Sequence, residues 1–231
     1  MRDDICTIPV SEIFEENDGC PICRMRDTVE RRIIDYIMGD AMMEPDVRIE
    51  TNRVGFCKDH YDKMMANRGR LQLALMLQTH IDEINGNVFK KSLLFTPNKR
   101  GETAAKISDT CFICDKIEYG ISRMLETIYR CYENERDFRN LFNNQTMFCL
   151  PHYERLIRGY NNKVMRSYGS DFAKNLTRIT SDYSKRLHKN LTDYCAMYDY
   201  RSNKENTDNL ECRDSVERTI AFLNGTYFED F

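Results

Sequence analysis

An all-α fold is what this 231-residue chain predicts, on three observations. Apolar residues recur at steps of three and four over long windows. No alternating apolar-polar run is long enough to suggest a strand. Short cysteine and histidine boxes occur twice, each placed where a helical pattern begins.

The helical elements can be read in order. Residues 22–38 carry apolar positions at Met25, Val29, Ile33, Ile34 and Ile37. A short helix over 58–66 and a longer one over about 70–90 follow. The longer one presents Leu73, Leu77, Ile81, Ile84 and Val88. Residues 112–132 repeat the first pattern with Ile113, Ile117, Ile121, Met124, Leu125 and Ile128. Helices over 150–166 and 171–200 come next, the second with Phe172, Leu176, Ile179, Tyr183, Leu187, Leu191, Tyr194 and Tyr198, and with Asp171 as a contributor to its N-terminal cap. A last helix over 211–224 ends at Gly225, a C-cap residue type. Pro45 and Gly55 punctuate the first half, as Asn143-Asn144 do the second.

The duplication sets the organisation. Cys20-Pro21-Ile22-Cys23 is followed by Cys57-Lys58-Asp59-His60-Tyr61, and Cys111-Phe112-Ile113-Cys114 by Cys149-Leu150-Pro151-His152-Tyr153. Cys23 to Cys57 is 34 positions and Cys114 to Cys149 is 35. Flanking residues agree as well: Arg32 matches Arg123, Ile33-Ile34 matches Met124-Leu125, and Ile37 matches Ile128. The expected plan is an N-terminal segment (1–19), a first metal-binding helical repeat (20–95), a linker (96–108), a second repeat (109–200), and a polar loop with a C-terminal helix (201–231).

Zinc takes four tetrahedral thiolate and imidazole ligands, and each repeat supplies two pairs. The expected sites are one Cys3His set per repeat: Cys20, Cys23, Cys57 and His60, then Cys111, Cys114, Cys149 and His152. Boxes at helix starts gain support from free amide N–H groups and the positive dipole end, which favour thiolate. Two zinc ions are the expected cofactors, with an iron–sulfur cluster as the alternative. A closed set of four ligands leaves no position for water, so the sites read as structural rather than catalytic.

The composition is 41% hydrophobic and 31% charged with a formal charge of −3, so bulk charge points to neither nucleic acid nor an acidic membrane surface. The start, Met1-Arg2-Asp3-Asp4-Ile5-Cys6, lacks a secretory pattern, and the longest apolar run, Leu73 to Leu77, is far short of a membrane span. A cytoplasmic protein is expected, where ten cysteines stay reduced and favour metal over disulfides.

Other residue groups have a plainer reading. Cys6, Cys131, Cys195 and Cys212 are left over; Cys131 and Cys195 lie in predicted helices near apolar positions and read as small buried side chains, with a redox role as the alternative. His80 and His188 read as satisfied or exposed histidines on long helices. The methionines Met42, Met43, Met64, Met65 and Met76 read as core filling. Residues 153–190 are locally basic, with Arg155, Arg158, Lys163, Arg166, Lys174, Arg178, Lys185, Arg186 and Lys189, and Tyr153, Tyr160, Tyr168 and Tyr183 interleaved. That pattern suits phosphate contacts and base stacking, but a solvated face balanced by Glu205, Asp208, Glu211, Asp214 and Glu217 is favoured. No phosphate loop, nucleophile elbow or His-Glu-x-x-His helix is present, so the balance is against an enzyme.

The motifs Cys20–Arg24, Gly55–Tyr61, Leu73–His80, Cys111–Cys114 and Leu150–Tyr153 resemble those of an uncharacterised family of bacterial proteins with paired Cys-x-x-Cys and Cys-x-x-His boxes. The resemblance spans nearly the whole chain and implies no activity. The function expected is a metal-pinned helical module that binds a protein partner or regulates one. A thiol or iron–sulfur redox sensor and nucleic-acid binding through 153–190 are the alternatives.

Overall fold

The structure, a computed structural model, describes residues 10–67, 69–90, 96–160, 164–198 and 212–225. Cys6, Lys163 and the polar loop expected over 201–209 lie outside the described residues. Among those described the chain is helical, with no strand. The α-helices are α1 (Val10–Glu15), α2 (Pro21–Met38), α3 (Pro45–Val54), α4 (Lys58–Ala66), α5 (Arg70–Asn87), α6 (Pro97–Ser108), α7 (Phe112–Asn134), α8 (Arg136–Asn143), α9 (Leu150–Gly159), α10 (Gly169–Met197) and α11 (Ser215–Asn224). No helix among them is long and apolar enough to cross a membrane.

Local chemistry explains several boundaries. Pro45 opens α3 at a position that needs no amide donor, and Gly55 closes it at φ 70°, so these two residues bracket a helix rather than a loop. The stretch expected as a linker is largely helical. Thr96 caps α6 by accepting from the Lys99 amide at 3.4 Å, and Pro97 starts the helix. No residue of α6 is buried, which is why its composition reads as a linker. Asp171 lies in the first turn of α10, two residues inside the start at Gly169, and is not its cap. Gly225 closes α11 in the left-handed conformation, as the sequence predicts.

The face of α5 departs from expectation in part. Leu73 and Val88 are buried as the sequence predicts, Met76 and His80 join them, and Ile81 is left half exposed. Apolar residues occur all around this helix, so periodicity alone cannot choose a face. Packing against α3 and α4 chooses it, and the Asn52 carbonyl, 2.6 Å from His80 Nδ1, makes the inward histidine tolerable.

Two compact units partition the chain, one from Thr28–Gly120 and one from Ile8–Asp27 with Ile121–Phe231. They are not the two sequence repeats, because the boundaries fall inside α2 and α7. The first unit buries Val29, Ile33, Ile34 and Ile37 of α2 and packs α3 and α4 on α5. The second packs α10 on α8, α9 and α11, and α1 on α8.

Aromatic rings fill the core of the second unit. Phe142 lies 4.9 Å from both Phe148 and Phe172, 5.1 Å from Tyr132 and 5.7 Å from Phe14. All five are essentially inaccessible to solvent. Phe142→Ala is therefore expected to destabilise this unit by about 3–5 kcal/mol. Denaturant unfolding followed by tyrosine fluorescence measures it, and a loss under about 1 kcal/mol would mean that this cluster does not form.

Candidate metal centres

Each of the four boxes begins a helix in the same way. Cys20, Cys57, Cys111 and Cys149 sit at N-caps, their carbonyls accepting from the amides of Arg24, Tyr61, Asp115 and Tyr153. The second donor of each pair lies three residues on, one turn further along the same face. A pair thus presents two donor atoms beside a helix N-terminus, where backbone amides favour negative charge.

The four pairs combine across the repeats. Cys20 and Cys23 meet Cys149 and His152, and Cys57 and His60 meet Cys111 and Cys114. The sequence predicts the same eight residues paired within each repeat, and the structure corrects that pairing. Helix length gives the reason. α7 has 23 residues and runs about 35 Å, carrying the chain away from Cys111 and Cys114 before the next box is reached. α2, with 18 residues, does the same over about 27 Å. Each crossed group lies wholly inside one unit.

The first group is buried throughout. Cys23 Sγ is 3.7 Å from Cys149 Sγ, and His152 Nδ1 lies 3.5, 3.4 and 3.0 Å from the sulfurs of Cys20, Cys23 and Cys149. The adjoining segments are stitched by Gln145, which donates to the Phe14 carbonyl at 2.7 Å, and by Thr146, which donates to that of Asn17 at 3.0 Å. The end of α11 also reaches this group. The Gly225 carbonyl is 3.0 Å from Cys23 Sγ, and a Cβ at this residue would stand 3.3 Å from Cys149 Sγ.

The second group is more open. Cys57 is half-buried and Cys114 is exposed, while His60 and Cys111 are buried. Cys57 Sγ is 3.9 Å from Cys114 Sγ, and His60 Nδ1 lies 3.1, 3.2 and 3.5 Å from the sulfurs of Cys57, Cys111 and Cys114. Thr110 donates to the Val54 carbonyl at 2.8 Å, and the Phe112 amide to that of Gly55 at 2.9 Å, holding the two boxes side by side.

These spacings fit a single ion. Arms of about 2.3 Å to sulfur and about 2.05 Å to nitrogen give tetrahedral edges of about 3.8 Å (S to S) and about 3.5 Å (S to N). The donor atoms of each group all lie within 4.8 Å of one another. Both groups could hold a metal ion.

Electrostatics supports the same reading. Burial raises Cys20, but hydrogen bonds from Cys149, Cys23 and His152 outweigh it and hold the thiol well below its ordinary value. Hydrogen bonding with Cys149 and Cys20, then burial, pushes Cys23 up, and hydrogen bonding with Cys20, with burial, pushes Cys149 up against an opposing bond with Cys23. In the second group burial opposes ionisation of Cys111, yet the His60 hydrogen bond brings it down to about 6. Burial and then Cys111 push Cys114 up to about 12. Each cluster thus favours negative charge on one sulfur, Cys20 or Cys111, and a cation would favour it on Cys23, Cys149 and Cys114 as well.

A residue that sequence reasoning missed supports His60. Glu30 of α2 is buried, with Oε1 2.8 Å from His60 Nε2 and Oε2 2.6 Å from Lys63 Nζ. With Nδ1 turned to the sulfurs, Nε2 carries the proton and donates to Glu30. Burial lowers His60, but hydrogen bonds with Cys111 and Glu30 raise it to about 10. The available signal was a glutamate one helical turn before the buried Ile33 and Ile34, where a charge is costly unless paired. In the duplicated alignment Ile121 stands in its place.

The remaining candidates are placed as follows. His80 is buried and bonded, and His188 is exposed. Cys131 is only half-buried and Cys195 is exposed, so the structure corrects the expectation that both are buried, while Cys212 is buried with its sulfur 3.4 Å from Met197 Sδ. Met64 and Met76 are core residues, whereas Met43 and Met65 are exposed. Within 153–190, Arg158 pairs with Glu154 and Lys185 with Asp182. The interleaved tyrosines are engaged in the fold: Tyr160 packs on Phe172, Tyr183 on Phe222, Tyr168 beneath the Arg139 guanidinium, and Tyr153 hydroxyl meets that of Thr177.

The fold and the two groups define an all-helical protein with paired Cys3His sets able to hold metal. The chain matches, over residues 1–230, the model of the Family of unknown function (DUF6062), and it belongs to that family. No curated protein matches it, and no solved structure does.

Glu30→Gln tests the support given to His60. Losing an outer carboxylate typically costs about 10–100-fold in metal affinity, so the Cys57 group is expected to weaken about tenfold while the Cys20 group keeps its affinity. Chelator competition resolves the two, and unchanged affinity at both would show that Glu30 does not orient the ligand.

Proposed function

We propose that each group holds one zinc ion as a structural clamp, and that the clamped helices serve as a partner-binding or regulatory module in the cytoplasm. The spacing of the donor atoms carries the first half. Four donors within 4.8 Å suit a mononuclear tetrahedral ion, whereas a multinuclear cluster attaches its ligands to different irons and spreads them further. Three thiolates and a neutral imidazole around a divalent ion leave a charge near −1 and no open position, which makes a weak Lewis acid. The partner-binding half rests on apolar side chains left in solvent: Ile49 on α3, and Leu71, Leu75 and Ile81 on α5. A reducing compartment suits sites built from six thiolates.

Metal analysis of anaerobically purified protein is the test. The expected result is two zinc ions per chain, no visible absorption, and loss of cooperative unfolding when a strong chelator removes them. Iron at comparable stoichiometry with charge-transfer bands would overturn the zinc assignment.

A further inference from the structure

The two groups share one donor set but not one environment. The Cys20, Cys23, Cys149 and His152 group is buried at every position, and the end of α11 lies against two of its sulfurs. In the other group Cys114 is exposed and Cys57 half-buried, with their sulfurs 3.9 Å apart. His60 and Cys111 stay buried behind them. An oxidant in solvent thus meets an accessible thiolate at one group only, with a second thiolate beside it.

We propose that Cys114 is a peroxide-modification site and that Cys57 resolves it, so that oxidation opens this clamp while the buried one stays closed. The inference rests on the metal-clamp reading above. The Cys114 thiolate attacks one oxygen of a hydroperoxide, breaking the O–O bond and releasing hydroxide or alkoxide, to give the sulfenic acid. The Cys57 thiolate then attacks that sulfur, forms the disulfide and expels the hydroxyl group as hydroxide. With hydrogen peroxide, two thiolates, one peroxide and two protons become one disulfide and two waters, a two-electron oxidation of sulfur. The ion loses two anionic ligands and leaves, and a dithiol reductant with added zinc reverses the change. Access controls the selectivity: metal-bound thiolates remain nucleophilic, and the two groups differ in which of them a peroxide can reach.

The experiment exposes the metal-loaded, full-length protein to hydrogen peroxide. Metal content is measured first, released zinc is followed with a chromogenic chelator, and disulfides are mapped by mass spectrometry after alkylation. Two ions at the start with one released at least tenfold faster than the other, accompanied by a Cys57–Cys114 bridge, is the expected result. Release of both ions at one rate, early oxidation of Cys20, Cys23 or Cys149, or a bridge confined to Cys111 and Cys114 would overturn the proposal. Fewer than two ions at the start would instead defeat the clamp reading beneath it. Cys114→Ser should abolish the fast phase. Where that variant fails to load metal, the wild-type disulfide map alone decides.

Discussion

The arrangement depends on bringing two helix N-termini against one small cluster of soft donors. Partial positive charge at each helix start favours thiolate, yet two such ends repel one another, and crowded thiolates do as well. A divalent cation held there would offset the second repulsion, and the thiolates it gathers would offset the first. Helix start, cysteine and ion would then support one another, at α2 with α9 and at α4 with α7. Neither helix end is an independent anion site. Each becomes stable in this position through its opposite number.

The crossed pairing determines how much such a clamp constrains. Cys20 and His152 are 132 positions apart, whereas a pairing inside the repeat would close a loop of about 40. On loop-closure entropy alone the longer connection restricts the unfolded chain by about 1 kcal/mol more. Its larger effect is topological. The N-terminal helices are tied to a segment more than half the chain away, and the intervening unit carries its own clamp. The two groups also differ in their supports. Glu30 and Lys63 orient His60 on one side, and the Gly225 end of α11 closes over the sulfurs on the other. The two groups thus share one donor set and differ in what surrounds it.

The eight donor residues were legible because cysteine and histidine at i and i+3, repeated at one spacing, form a donor pattern suited to a metal site. Helix identity was legible for α2 and α7, whose inward residues fall on one clean stripe. The pairing was not legible, because the interval between boxes says nothing about direction, and only the run length of α2 and α7 argues against the local choice. The inward face of α5 was hidden by leucines on several sides. Pro45 and Gly55 look like breaks in the sequence although they mark the two ends of α3. Glu30 stands out in the sequence only as a charge beside apolar positions, and its tie to His60 depends on which histidine nitrogen faces the sulfurs, which the folded geometry provides.

The crossed clamp can be tested by removing one donor and finding which thiols are set free. In Cys149→Ser, brief alkylation of the otherwise metal-loaded protein should label Cys20 and Cys23, because these lie in one donor group with Cys149. Cys57 and Cys111 should stay protected. Labelling of Cys111 and Cys114 in place of Cys20 and Cys23 would contradict the account and restore one site per repeat.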